Sequence, residues 1–211
     1  MNMHVSVNDQ SVGEIQAAAL VIGIHEGGVL DGAAAELNDL SAGQLVELIE
    51  AGEIAAKCGT VTSWLAPAGL QTPHVVVVGL GDRATLDVRT AAVAAGSAAK
   101  LLAGQERQRV VFLLTDGWDQ ELVAAAVSGA VVGCVGQDLY RAERRMHQID
   151  ELAWRTPHAA AVEEGFQLGE ATNLARRLVN EPAGTIYPES FAEVAAQLAE
   201  ESGLELETWD L

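Results

Sequence analysis

Basic side chains are scarce in this sequence. Lysine and arginine number 12 against 30 aspartates and glutamates in 211 residues, a formal net charge of −18, and before Arg83 the only one is Lys57. Such a surface repels phosphate backbones and anionic bilayers, which argues against nucleic acid or a membrane as partner. Cysteine is nearly absent. Cys58 and Cys134 are too few and too isolated for a disulfide framework, so both are expected as buried, reduced thiols in a reducing compartment. Aromatic residues make up only 4%, so the core must be assembled from small side chains. No apolar run reaches the ~20 residues of a membrane-spanning helix. Met1 to Val7 also lacks the basic start and apolar stretch of an export signal, and a soluble cytoplasmic protein is the expectation.

What the sequence does have is alanine, valine and glycine, and a hydrophobic content of 49%, enough to bury a sizeable core. His4 to Val7 forms a short candidate strand and Ala17 to Ile24 an apolar one buried on both faces, leading into a turn at Glu26-Gly-Gly28. A helix is expected from about Ala42 to Ala56 with Ser41 as its cap and Leu45, Leu48 and Ile49 inward. Val61 to Leu65 and His74 to Val78 are further strands. Thr85 caps a helix through Leu102, Arg109 to Leu114 is a buried strand, and Asp119 caps a helix through Gly133. Arg141 to Arg155 is polar and mixed in charge and reads as a surface connection. Strands alternating with helices imply an α/β fold of three layers: a mostly parallel mixed sheet flanked by helices.

Several motifs invite a chemical reading, and each has a plainer one. Gly79-Leu-Gly81-Asp-Arg-Ala84 after four valines fits a loose dinucleotide pattern, in which bare backbone lets a pyrophosphate approach a helix start. Asp82 works against it, and a tight structural turn is preferred. Glu26-Gly27-Gly28-Val-Leu-Asp31 could cradle phosphate with its amides, but its acidic flanks favour a loop without ligand. Asp116 and Asp119 could divide acid and base roles or hold a metal; Asp119 before an apolar helix is better read as a cap. His4, His25, His74, His147 and His158 show no ligand spacing. Ser97 and Ser128 lie within helices with no nucleophile elbow around them. Arg141, Arg144 and Arg145 form a small basic cluster interrupted by Glu143, read as a solvated face or subunit contact.

The C-terminal stretch is the most informative. Thr156 caps a long helix opening at Pro157, with Leu168, Ala171, Leu174, Ala175 and Leu178 on one face, and Pro182 ends it. Pro188 opens a second helix carrying Phe191, Val194, Ala195 and Leu198 and capped by Gly203. Leu204 to Trp209 then alternates as a strand.

Asn173-Leu-Ala-Arg-Arg-Leu-Val-Asn-Glu-Pro182, followed by Pro188-Glu-Ser-Phe-Ala192, resembles the junction between the two domains of the leucyl (cytosol) aminopeptidase family. Val75 to Gly81 and Ser128 to Gly133 stand in the order that this family's N-terminal domain gives. The resemblance implies a macro-domain-like N-terminal domain at 1–155, a linker helix at 156–182 and the start of a catalytic domain at 183–211. It implies a hexameric metallopeptidase that removes N-terminal residues from peptides, using two divalent ions, zinc or manganese. Its metal-binding Gly-Lys-Gly-x-x-Phe-Asp and Asn-Thr-Asp-Ala-Glu-Gly-Arg segments are expected beyond Leu211. No catalytic, cofactor-binding or metal-ligating residue is therefore assigned, and this chain is expected to be inactive alone. Its partners are its own catalytic domain and other subunits, with peptide substrate only in the full-length protein; the alternative is a module binding ADP-ribose or another nucleotide.

Overall fold

The computed structural model of the protein describes residues 3–136, 143 and 145–209. It divides into two compact units, Met1–Thr172 and Asn173–Leu211. In the first, the described strands β1 (His4–Val7), β2 (Ala19–His25), β3 (Val61–Leu65), β4 (His74–Gly81), β5 (Arg107–Phe112) and β6 (Ile149–Trp154) form one sheet in the order β1-β6-β5-β2-β4-β3. Every pairing is parallel except that of β3 with β4. The expected α/β architecture is present.

Side-chain alternation along the central strands builds two cores. Ala19 and Val21 of β2, Val76 and Val78 of β4, and Val110 and Phe112 of β5 face α3 (Val88–Leu102) and α4 (Gln120–Gly133). Leu20, Ile22 and Ile24 with Val75, Val77 and Val111 face α1 (Gly32–Leu40) and α2 (Gln44–Glu50). A strand apolar at every position suits only a sheet covered on both sides, which is why these segments cannot serve at an exposed edge. Alanines dominate the first core, and α3 and α4 approach so closely that a Cβ on Gly129 would lie 2.2 Å from the Ala92 carbonyl oxygen. α5 (Ala159–Asn180) adds Ala161 and Val162 to the same core, and Gly165 and Gly169 meet α4 where no side chain fits.

Some expectations need correction. The helix foreseen at 42–56 is shorter, and a separate α1 precedes it: Ala42 and Gly43 turn through positive φ (54° and 89°), breaking the chain between α1 and α2. α3 begins at Val88, capped by Asp87 rather than Thr85, because the Asp87 carboxylate accepts from the Thr90 amide at 2.8 Å. The polar stretch read as a surface connection contains β6, with Ile149, Leu152, Ala153 and Trp154 buried. Its Glu151 is satisfied by neighbouring strands, accepting from Ser6 at 2.6 Å and pairing with Arg109 at 3.1 Å. Trp154 stacks on Phe112 with ring centroids 4.3 Å apart. Cys134 is buried as expected, but Cys58 is exposed, since it lies in the turn that covers Gly81 at the end of β4.

α5 begins at Ala159, after Pro157, and Thr156 accepts from the His158 amide at 3.3 Å. Its buried face is Ala161, Val162, Gly165 and Gly169, while Leu168 and Ala171 of the expected face are exposed, because the close approach to α4 selects the glycine arc. In the second unit α6 (Pro188–Ser202) opens at its proline and closes at Gly203 in the left-handed region, as expected. Leu204 to Trp209 is not a strand: no described strand pairs with it, and an extended segment needs partners for its amides.

Candidate functional site

Chain direction in the sheet changes between β2 and β5. From β2 the chain moves to β3 and β4 on one side, and from β5 to β6 on the other, so these adjacent strands mark the topological switch point. In open parallel sheets the crevice outside the carboxyl ends of such strands is where ligands sit. A cavity of about 200 Å³ lies there, lined by residues that include His25, Asp31, Ala33, Arg83, Asp116 and Trp118.

The chemistry of that crevice is internally satisfied. α1 points its N-terminus into it, and Asp31 stands at the cap position without capping, pairing instead with Arg83. Asp116, from the β5–α4 connection, takes over: its Oδ2 accepts from the Ala33 amide at 2.8 Å and from Arg155 Nη2 at 2.7 Å. Arg155 gives its other arm to Glu36 Oε2 at 2.9 Å, and Glu36 Oε1 accepts from the Val12 amide at 2.6 Å. Burial opposes the charge of Arg155, but the hydrogen bonds and charges of Asp116 and Glu36 outweigh it and raise its pKa. The free amide and partial positive charge that would attract a phosphate are thus occupied by a carboxylate of the protein itself. Gly32 is fitted to this contact, since a Cβ there would lie 2.3 Å from Asp116 Oδ2.

The sequence-predicted candidates fall in different places. Gly79 and Gly81 lie in β4, where the amide of Gly79 donates to the Thr60 carbonyl at 2.9 Å and that of Gly81 to the Ala56 carbonyl at 2.8 Å. They are glycines because the 56–60 turn crosses them: a Cβ on Gly79 would lie 2.2 Å from the Lys57 carbonyl oxygen. Gly27 and Gly28 form a left-handed turn with open space around both. Asp119 caps α4, accepting from the Leu122 amide at 2.9 Å, which separates its role from that of Asp116.

Among the histidines, only His25 lines the crevice, and its Nδ1 donates to the Gly81 carbonyl at 3.2 Å. Ser97 and Ser128 are half-buried within α3 and α4. Arg141 and Arg144 lie outside the described residues. Among the described residues no three His, Cys, Asp or Glu side chains gather as a metal set, so the two ions that the resemblance implies find no ligand set there. No helix among them is long and apolar enough to cross a membrane. Sequence reasoning missed Arg155, Glu36 and Arg83, whose partners lie 24 to 119 residues away with no local signal.

Comparison with known proteins decides the family. Residues 21–144 match the model of the cytosol aminopeptidase family, N-terminal domain. The chain belongs to the cytosol aminopeptidase family. A probable cytosol aminopeptidase from Rhodopirellula baltica is 40% identical over 162 residues, covering 75% of this chain and 31% of that protein. The bottromycin maturation enzyme BotP is similar in structure, with TM-score 0.70 and 29% identity over 90% of this chain and 38% of its own. A tomato leucine aminopeptidase variant shares the fold, with TM-score 0.76 and 21% identity over 95% of this chain and 43% of its own. The chain thus spans less than half the length of each of these proteins, and corresponds to the N-terminal part of cytosol aminopeptidases.

Proposed function

We propose that this chain is the non-catalytic N-terminal domain of a leucyl-aminopeptidase-like metallo-exopeptidase, and that its work is assembly or regulation of the parent enzyme. The observation that carries the reading is the internal pairing at the switch point. Where an α/β sheet would hold a ligand, Asp116, Arg155, Glu36, Asp31 and Arg83 are committed to one another. In this reading 1–155 is the macro-like domain, 156–182 the linker helix and 183–211 the start of the catalytic domain. The exposure of Phe191, Leu204 and Trp209 supports the last assignment, as these are apolar side chains without a core around them. The parent would remove N-terminal residues by two-metal activation of water in a hexamer, in the cytoplasm, with both metal ions held by residues outside this chain. Sedimentation of this chain beside the full-length enzyme, and of the full-length enzyme without residues 1–155, tests the assembly role. Loss of the oligomer on deletion supports it; an unchanged oligomer with unchanged turnover would remove it.

The second reading, a macro-like module for ADP-ribose or another nucleotide, draws on the position of the crevice at the switch point. Calorimetry with ADP-ribose separates the two. We expect no heat at millimolar ligand, because Asp116 already holds the α1 amide; a micromolar dissociation constant would favour the nucleotide reading instead.

A further inference from the structure

A second polar cluster lies at the opposite, amino-terminal edge of the sheet. Arg107, at the start of β5, reaches three elements at once: its Nε donates to the Leu102 carbonyl at the end of α3 at 3.0 Å, its Nη1 lies 3.5 Å from the Ala18 carbonyl just before β2, and its Nη2 lies 3.1 Å from His74 Nδ1 at the start of β4. A guanidinium only donates, so Nδ1 of His74 must accept, and the ring proton sits on Nε2. That proton points to Ser63 Oγ of β3, 3.1 Å away. The Ser63–His74 pair therefore has the wrong tautomer for a nucleophile and its base, because His74 is the donor to the hydroxyl.

We propose that His74 and Arg107 form a pH-sensitive latch that holds β2, β4, β5 and the end of α3 together at this edge, and that protonation of His74 releases it. Adding a proton to Nδ1 removes the acceptor and sets two cations side by side, so the guanidinium must leave. The carboxylates of Glu106 and of Asp150 on β6 line the same cavity as Arg107 and can receive the released guanidinium. Among the described residues nothing beside His74 offsets its new charge: β3 carries no charged residue and offers only the Ser63 hydroxyl, the segment before β2 offers the Ala18 carbonyl, and Lys100 in the last turn of α3 is exposed. Burial first and the Arg107 charge second lower the His74 pKa from its ordinary 6.5, and burial lowers that of Arg107.

The sign follows. A basic group whose pKa is lower when the latch is closed binds more protons when it is open, so closure is favoured most well above the ordinary histidine value of 6.5 and weakens as pH falls through it. The opening equilibrium rises by at most about tenfold per pH unit and levels off once the closed-state pKa is passed.

Hydrogen exchange and histidine NMR on the intact chain test this. The amides of Ala18, Arg107 and His147, which bond across the same edge to Arg109, Gln148 and Ala103 carbonyls, should lose protection as pH falls below 6.5, by at most about tenfold per pH unit. Leu113, bonded to the Val21 carbonyl near the far edge, should not. His74→Asn keeps an acceptor without titrating and should flatten the profile. The His74 ring should be the Nε2–H tautomer at pH 7.5, a readout that needs no variant. An Nδ1–H tautomer, or protection at the three amides that ignores the His74 titration, would overturn the latch.

Discussion

Gly129 of α4 offers the sharpest test of how the two helices on one face of the sheet are held. A Cβ built there lies 2.2 Å from the Ala92 carbonyl oxygen and 2.7 Å from both its carbonyl carbon and its Cα. These are backbone atoms, so no side chain can swing aside, and α3 and α4 must separate by ~1 Å to restore ordinary contact. A gap of that size forfeits about a quarter to a half of the dispersion energy along the seam. That seam includes Ala91, Ala95, Ala98, Val123 and Val127, all fully buried. Overpacking of this kind costs ~3 kcal/mol at its upper range, and the gain in helix propensity from glycine to alanine offsets ~1 kcal/mol of it. Gly129→Ala should therefore destabilise the domain by ~2 kcal/mol, equivalent to a fall of about 4–8 °C in Tm for a chain of this size. Chemical denaturation with Gly13→Ala as control measures it, since a Cβ on Gly13 meets only the end of the Leu40 side chain at 3.4 Å. A Gly129→Ala protein as stable as the control would refute the close-packing argument, because propensity alone would then decide.

Other expectations can be checked on the same material. Asp119→Ala removes the acceptor for the Leu122 amide and should cost ~1 kcal/mol by urea denaturation, whereas Asp119→Asn, which can still cap, should cost much less. Asp116→Ala should cost ~2 kcal/mol, because it leaves the Ala33 amide and one arm of Arg155 without their carboxylate; a neutral effect would mean that the crevice network is ornamental. In a thiol titration of the native protein one cysteine should react promptly. Cys58 is exposed, while burial pushes the Cys134 thiol up to about 12 and hides it from reagent. Two fast thiols would contradict the packing of α4.

The central strands and the α4 cap rest on local signals, whereas α1 and β6 rest on contacts distant in sequence. β2 and β4 are runs of apolar residues that can only be strands covered on both faces, and Asp119 announces the start of α4 because its partner amide is three residues away. α1 gave no such notice. The Ala33 amide in its first turn is met by Asp116, 83 residues distant, while the aspartate side chain at its own cap position is turned to Arg83. β6 was hidden for a related reason: Asp150 and Glu151 interrupt its apolar pattern, and Glu151 becomes tolerable only once Ser6 and Arg109 stand on the neighbouring strands. The glycines of β4 looked like a phosphate loop because the same residue serves two needs, approach of a ligand and approach of backbone, and here the 56–60 turn makes the approach. On α5 leucine spacing suggests one face, but close contact with α4 buries another, that of Gly165 and Gly169.

The central claim is that this chain carries the family's N-terminal domain without its chemistry. Hydrolysis of a leucine anilide by the purified chain, supplied with zinc or manganese at millimolar concentration, tests it most directly. The account predicts no release above that of buffer with metal alone; metal-dependent turnover that a chelator abolishes would contradict it.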